Sequence, residues 1–320
     1  MSTEGSTKAV VAALLANTGI AITKFLAFLL TGASSMLAEA IHSVADSGNQ
    51  GLLLLGGRRA HRRPTAEHPF GYGRERYVYA FIVSIVLFSV GGLFALYEAY
   101  HKAHELHAAH GHPADSLLDS RWAWVPIVVL VAALVMEGFS FRTAIKETAR
   151  VRGEASYVEF VRRAKEPELP VILLEDLAAL CGLMFALFGV GLALLTDNLW
   201  FDVIGTALIG LLLVAVAVVL GIETKSLLIG ESASGAAEQR IASAIEGTSG
   251  IQRIVHLKTM HLGPDELLVA AKIGVLAADS AAEVAEAIGA AEASIRTAEP
   301  IALLIYLEPQ ITAESAPGAR

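Results

Sequence analysis

The sequence predicts a bundle of six membrane-spanning α-helices followed by a small α+β domain of order α-β-β-α-β. Three observations predict it. Of 320 residues, 54% are hydrophobic and 18% charged, which is less charge than a soluble domain of this length carries. Six apolar runs reach or approach the roughly 20 residues that cross a bilayer. After Ile222 the pattern turns amphipathic, with helical and alternating periods in place of continuous apolarity.

Taken in order, the runs are Ala9–Leu30, Leu37–Leu55, Val78–Tyr100, Trp122–Met136, Val171–Leu195 and Phe201–Ile222, and the fourth is the shortest. The opening "MSTEGSTKAV" has no basic n-region and no small-residue cleavage site, so the first run is expected to stay as a span. Cys181, the single cysteine, falls in the fifth run and excludes an intramolecular disulfide or a Cys-rich metal site. No basic stripe with interleaved aromatics points to nucleic acid.

Beyond the last run, "ETKSLLIGESASG" reads as a polar bridge and Ala236–Ile245 as a helix. Ile254–Leu262 and Leu267–Val275 read as strands joined by the turn "GPDE". Ala281–Ile295 is an Ala/Glu helix, and Ala302–Leu307 closes the sheet. The expected division is a spanning domain 1–225, a C-terminal domain 226–312 and a disordered tail 313–320.

Basic residues crowd alternate loops. Arg58, Arg59, Arg62, Arg63, Arg74 and Arg76 lie between the second and third runs; Arg142, Lys146, Arg150, Arg152, Arg162, Arg163 and Lys165 lie between the fourth and fifth. The loops "TGASSM" and "TDNLW" contain none. The positive-inside rule puts the basic loops and both termini in the cytoplasm, and a bacterial plasma membrane is the expected setting.

An ionisable side chain at bilayer depth costs at least a few kcal/mol, so each one calls for a reason. His42 and Asp46 are four apart and share one helix face, with Glu39 and Asn49 extending the stripe. Imidazole with carboxylate suits Zn²⁺ and similar divalent ions. Two ligands on one helix do not close a site, so a second helix must contribute. The fifth run supplies Glu175 and Asp176, whose side chains diverge by about 100°. Asp176 is the favoured ligand. Glu175 is a second ligand, a proton carrier or a partner to a basic residue. A structural hydrogen bond between spans is the bland alternative for a His–Asp pair alone. Lys24 is expected to snorkel to the interface, with a salt bridge to an intramembrane acid as the second reading. Glu137 is expected to face water or to lie near Arg142.

Taken together, "HSVADSGNQ", "HPFGYGRERY" and "VILLED" resemble the cation diffusion facilitator family, six-span zinc and manganese exporters that exchange metal for protons. They are most similar to the branch that includes the animal mitochondrial zinc transporter. The resemblance implies a ferredoxin-like cytoplasmic domain that pairs two copies into a homodimer, and it makes His42 and Asp46 metal ligands. Members carry a histidine four residues before the fifth-span aspartate; here that position is Ile172, so Glu175, Asn49 or water is left to complete the set. In the "HPFGYG" element His68 remains and Tyr72 stands at a second histidine position, so His68 is expected to fix the loop. The C-terminal domain keeps His256 and His261, but Tyr306 and Glu308 replace the family's His and Asp.

The resulting expectation is a secondary active transporter that exports a divalent transition-metal ion from the cytoplasm in exchange for protons by alternating access. It is not an enzyme: no His-Glu-x-x-His is present, and the loops are too short for an active site. The ion is the transported substrate, Zn²⁺ or else Mn²⁺, Co²⁺ or Fe²⁺, with no permanently bound cofactor, and His42 favours Zn²⁺ over Mn²⁺. Proton coupling falls to His42, Asp46 and Asp176. A non-transporting metal sensor of the same fold and a Mn-, Fe- or Co-selective exporter are the alternatives. Between the third and fourth runs, His101, His104, His107, His110 and His112 form a weak accessory metal tract or an exposed polar extension of a helix.

Overall fold

The computed structural model describes residues 3–32, 34–108 and 124–312. The expected tail 313–320, together with His110 and His112, lies outside them. Two compact units make up the chain: residues 1–58 with 77–225, and residues 59–76 with 226–320. The expected boundary after residue 225 kept the connection 59–76 with the helices, whereas here it clusters with the C-terminal residues.

The first unit is helical throughout. Its long rods are α1 (Thr3–Thr31), α2 (Ser34–Ala60), a third rod made of α3 (Glu75–Val86), a π-helical segment Leu87–Leu93 and α4 (Phe94–Ala108), then α5 (Val125–Val151), α7 (Glu168–Thr196) and α8 (Trp200–Ile229). A short α6 (Tyr157–Arg163) precedes α7, capped by Ser156, whose hydroxyl accepts from the Glu159 N–H. Among the described residues, four rods are long and apolar enough to cross a membrane: Glu75–Ala108, Val125–Val151, Glu168–Thr196 and Trp200–Ile229. The protein is therefore an integral membrane protein. In α2, Glu39, His42, Asp46, Asn49 and Gln50 dilute the apolar stretch.

The fourth rod corrects an expectation. The apolar run stops at Met136, but the helix continues to Val151 with Glu137 buried inside it. The charged residues at 137 and beyond ended the apolar pattern without ending the backbone hydrogen bonding. Small residues let rods approach closely. A Cβ on Gly189 would sit 2.9 Å from the Phe201 carbonyl, and one on Gly205 2.8 Å from that of Phe185, so α7 and α8 meet backbone to backbone. The π segment does the same for the third rod: a Cβ on Gly92 would stand 3.1 Å from the Val214 nitrogen of α8.

In the second unit, α9 (Gly235–Glu246) and α10 (Ala281–Ala298) accompany strands β1 (Arg253–Gly263), β2 (Glu266–Leu276) and β3 (Ala302–Thr312). The sheet order is β1-β2-β3, antiparallel between β1 and β2 and parallel between β2 and β3. Alternation along β2 buries Leu267, Val269, Ala271 and Ile273, which pack with Ile241, Ile245, Ala291 and Ile295 of the helices. A capping box fixes the start of α10, with Ser280 and Glu283 each bonding the other's backbone N–H. Those bonds hold the Glu283 carboxyl below its ordinary pKa.

Candidate functional site

Four helices of the first unit bring ionisable side chains together in its interior. On α2 the expected stripe forms: Glu39, His42, Asp46 and Asn49 are all buried. His42 Nε2 lies 3.4 Å from Asp46 Oδ2, one turn apart on one face. From α7, Glu175 and Asp176 are 4% and 8% exposed, and they diverge as their adjacency requires. Asn49 Nδ2 donates to Glu175 Oε1 at 2.7 Å, so Glu175 is the carboxylate bonded to α2. Asp176 turns toward α5, where the Ser140 hydroxyl donates to its Oδ2 at 2.9 Å.

For two single charges the first expectation is overturned, and for Lys24 the second reading, a salt bridge to an intramembrane acid, is the one found. Lys24 does not snorkel: it is fully buried on α1, and its Nζ donates to Glu39 Oε2 and Ser43 Oγ, each at 2.9 Å. Pairing with an acid removes the need to reach the interface. Glu137 does not face water either; it is 5% exposed. Sequence reasoning passed over Ser43 and Ser140, whose only signal is helical spacing from Glu39 and Glu137. It also missed the π segment beside the site. A Cβ on Gly91 would stand 4.0 Å from His42 Nδ1, which places this irregular turn against the imidazole.

Several of the gathered atoms have no hydrogen-bond partner. They are Glu39 Oε1, both ring nitrogens of His42, Asp46 Oδ1, Asn49 Oδ1 and Gln50 Oε1. Lone pairs with nothing to accept, on nitrogen and oxygen alike, are the donor set of a divalent transition metal. Among the described residues, however, no group of three or more His, Cys, Asp and Glu side chains is closed tightly enough to grip an ion. Asp176 and Glu175 each spend one oxygen on a neutral hydrogen bond, and a cage needs those oxygens turned toward His42 and Asp46.

Among the described residues, the accessory positions are not gathered into such a site. His101, His104 and His107 lie on α4, a helical extension of the third rod. His101 stacks on Tyr97 and meets Glu105 at 3.6 Å, and His104 stacks on Tyr100. In the second unit His68 packs edge-on against Tyr72, with ring centroids 4.7 Å apart, and its backbone N–H donates to the Thr65 hydroxyl. His256 is exposed and His261 is buried, its Nδ1 3.2 Å from the Gly263 carbonyl, so the two do not share a site. His256, Tyr306, Glu308 and Glu292 line a cavity of about 530 Å³, and there Lys272 pairs with Glu308 at 2.9 Å.

Residues 10–229 match the family model described as the cation efflux transmembrane domain. The human mitochondrial proton-coupled zinc antiporter SLC30A9 is 33% identical over 263 residues, covering 81% of this chain and 44% of that protein. The chain thus spans less than half the length of that relative. Metal tolerance protein C4 of Arabidopsis thaliana is 26% identical over 277 residues, covering 84% of this chain and 57% of that one. Magnetosome protein MamM of Paramagnetospirillum magneticum is 24% identical over 259 residues, covering 79% and 72%. Among solved structures, a MamM C-terminal domain superposes with a TM-score of 0.24 at 20% identity, covering 25% of this chain and all of that one. That likeness is too slight to carry an argument.

Proposed function

The chain belongs to the cation efflux family of metal transporters, and on that premise we propose that it exports a divalent transition-metal ion, Zn²⁺ first, in exchange for protons. The observation that carries the reading is the buried set of unpartnered nitrogen and oxygen atoms on α2, faced by Glu175 of α7. Six spans, with α1 and α2 joining the four apolar rods, cross the membrane with their basic loops in the cytoplasm. The setting we assign is a bacterial plasma membrane, with both termini inside. The C-terminal domain, residues 226–312, pairs two copies into a homodimer.

In this mechanism a dication arriving from the cytoplasmic side meets His42 and Asp46, and displaces protons because only deprotonated ligands hold metal. Asp176 turns from Ser140 to join them. Glu175, Asn49 and water are the remaining ligands within reach. The bundle then rocks, the site opens outward, and protonation of the imidazole and carboxylates expels the ion. An imidazole suits this cycle because it binds a metal ion only while neutral and gives it up on protonation. Its nitrogen also favours Zn²⁺ over Mn²⁺, which an all-oxygen site would suit better.

The test is Zn²⁺ flux into proteoliposomes under an imposed proton gradient. Wild-type chain moves zinc, and Asp46→Ala and Asp176→Ala each reduce the flux to the empty-vesicle background while the protein still folds. Undiminished transport in both variants would overturn the assignment. Competition by Mn²⁺, Co²⁺, Fe²⁺ and Cd²⁺ in the same vesicles ranks the ions.

A further inference from the structure

Lys24 has no task in the cycle just described, yet it is fully buried beside the groups that perform it. Its ammonium donates to Glu39 Oε2 and Ser43 Oγ, both at 2.9 Å. Glu39 lies three residues before His42 on the same helix face, between that histidine and the turn that joins α1 to α2. Its second oxygen, Oε1, has no partner and points toward α7, where a Cβ on Gly182 would stand 2.8 Å away. Ser43, the second acceptor of that ammonium, is the chain neighbour of His42. Glu39 thus stands as a buried carboxylate within electrostatic reach of the proposed ligands, and a tethered cation already holds it.

A free carboxylate there would be a hard oxygen donor one turn from His42. Joined to Asp46 and Asp176, it would raise the oxygen count of the site and shift its preference from Zn²⁺ toward Mn²⁺. Lys24 is suited to prevent this, because an ammonium is a compact point charge that satisfies a carboxylate without ligating anything itself. Resting on the transport reading above, we propose that Lys24 is a selectivity-determining positioning residue that withholds Glu39 from the cation site. It also sets the charge balance: with Glu39 neutralised, the negative charge left in the cluster is that of Asp46, Glu137, Glu175 and Asp176.

Metal binding by the purified full-length chain in detergent, followed by isothermal titration with Zn²⁺ and then Mn²⁺, tests this. Lys24→Met frees Glu39 and narrows the preference for Zn²⁺ over Mn²⁺ by about 10- to 100-fold, the range that residues supporting a metal site command. Glu39→Gln does the opposite to charge: the released ammonium weakens Zn²⁺ and Mn²⁺ equally and leaves their ratio alone. The double variant K24M/E39Q restores both affinity and ratio toward wild type. A merely structural ion pair would give no such opposite signs. Should K24M fail to fold, E39Q and the double variant still decide. A wild-type ratio in K24M, or wild-type affinity in E39Q, overturns the proposal. Because binding is read without flux, a chain that shows the selectivity shift but carries no zinc across vesicles sinks the transport reading and leaves this one standing.

Discussion

The two units treat buried polarity in opposite ways. On α2, five side chains between residues 39 and 50 leave buried nitrogen or oxygen atoms without a partner. The C-terminal core is built instead from Ile241, Ile245, Val269, Ile273 and Ile295, and its helix starts are capped by Ser234 and Ser280. Each unsatisfied buried group costs about 1–3 kcal/mol. A fold that can be held by aliphatic packing has no structural need for such atoms, as the core of strands and helices in residues 235–312 demonstrates. Their concentration on one face of one helix is what a site for an exchangeable partner requires.

The largest effect that would sharpen the contrast is in the aliphatic unit. Ile245 is fully buried, and Ile245→Ala should cost about 2–5 kcal/mol through lost transfer energy and a cavity. Hydrogen exchange on the full chain should show faster exchange across residues 235–312, with residues 34–60 unchanged. Equal acceleration in both regions would mean that the units do not hold their stability separately.

The reverse substitution belongs in the polar unit. His42→Leu with Asp46→Leu replaces buried polar groups by apolar ones of comparable bulk. Swaps of this kind are often neutral or stabilising by about 1–4 kcal/mol. The double variant should therefore melt at or above the wild-type temperature in detergent, and zinc should no longer raise its melting temperature. A strongly lowered melting temperature in the absence of metal would make the pair structural glue and dissolve the contrast.

What the sequence disclosed follows the same division. The i, i+4 spacing of His42 and Asp46 was readable because a helix turns polar spacing directly into a shared face. The strands and helices of the second unit were readable from their periods, although β3 runs past Leu307 through Pro309 to Thr312, beyond the residue at which a proline argues for stopping. Lys24 was not readable: its partner lies on another helix, and only packing decides between a bilayer interface and a buried acid. Nor was the π segment, since one extra residue per turn is invisible within the continuous apolar run "SIVLFSVGGL". The split between Glu175 toward α2 and Asp176 toward α5 depends on helix rotation, which adjacency leaves open.

The smallest expected effect concerns the connection 59–76, which is packed within the second unit and not left loose. Arg76 pairs with Asp265 at 2.9 Å, and Arg74 Nη2 donates to Met260 Sδ. Gly73 lies so close to the β1–β2 turn that a Cβ on it would come 2.9 Å from the Leu262 carbonyl and 2.6 Å from Glu266 Oε2. Burial first, and then the charge of Asp265, raises the Glu266 carboxyl above its ordinary 4.5, while His61 pulls the other way. The folded chain therefore keeps a proton that the unfolded chain has released in the window above 4.5. Stability from this group is full below that window and declines as pH rises through it. With the carboxyl only partly buried, the decline should stay below about 1 kcal/mol. Glu266→Gln should flatten the slope of the second unit's stability between acid and neutral pH, read by hydrogen exchange at several pH values. Identical slopes in variant and wild type would show that Glu266 is solvated like any surface acid, and that the connection is held by Arg76 and the glycine contact alone.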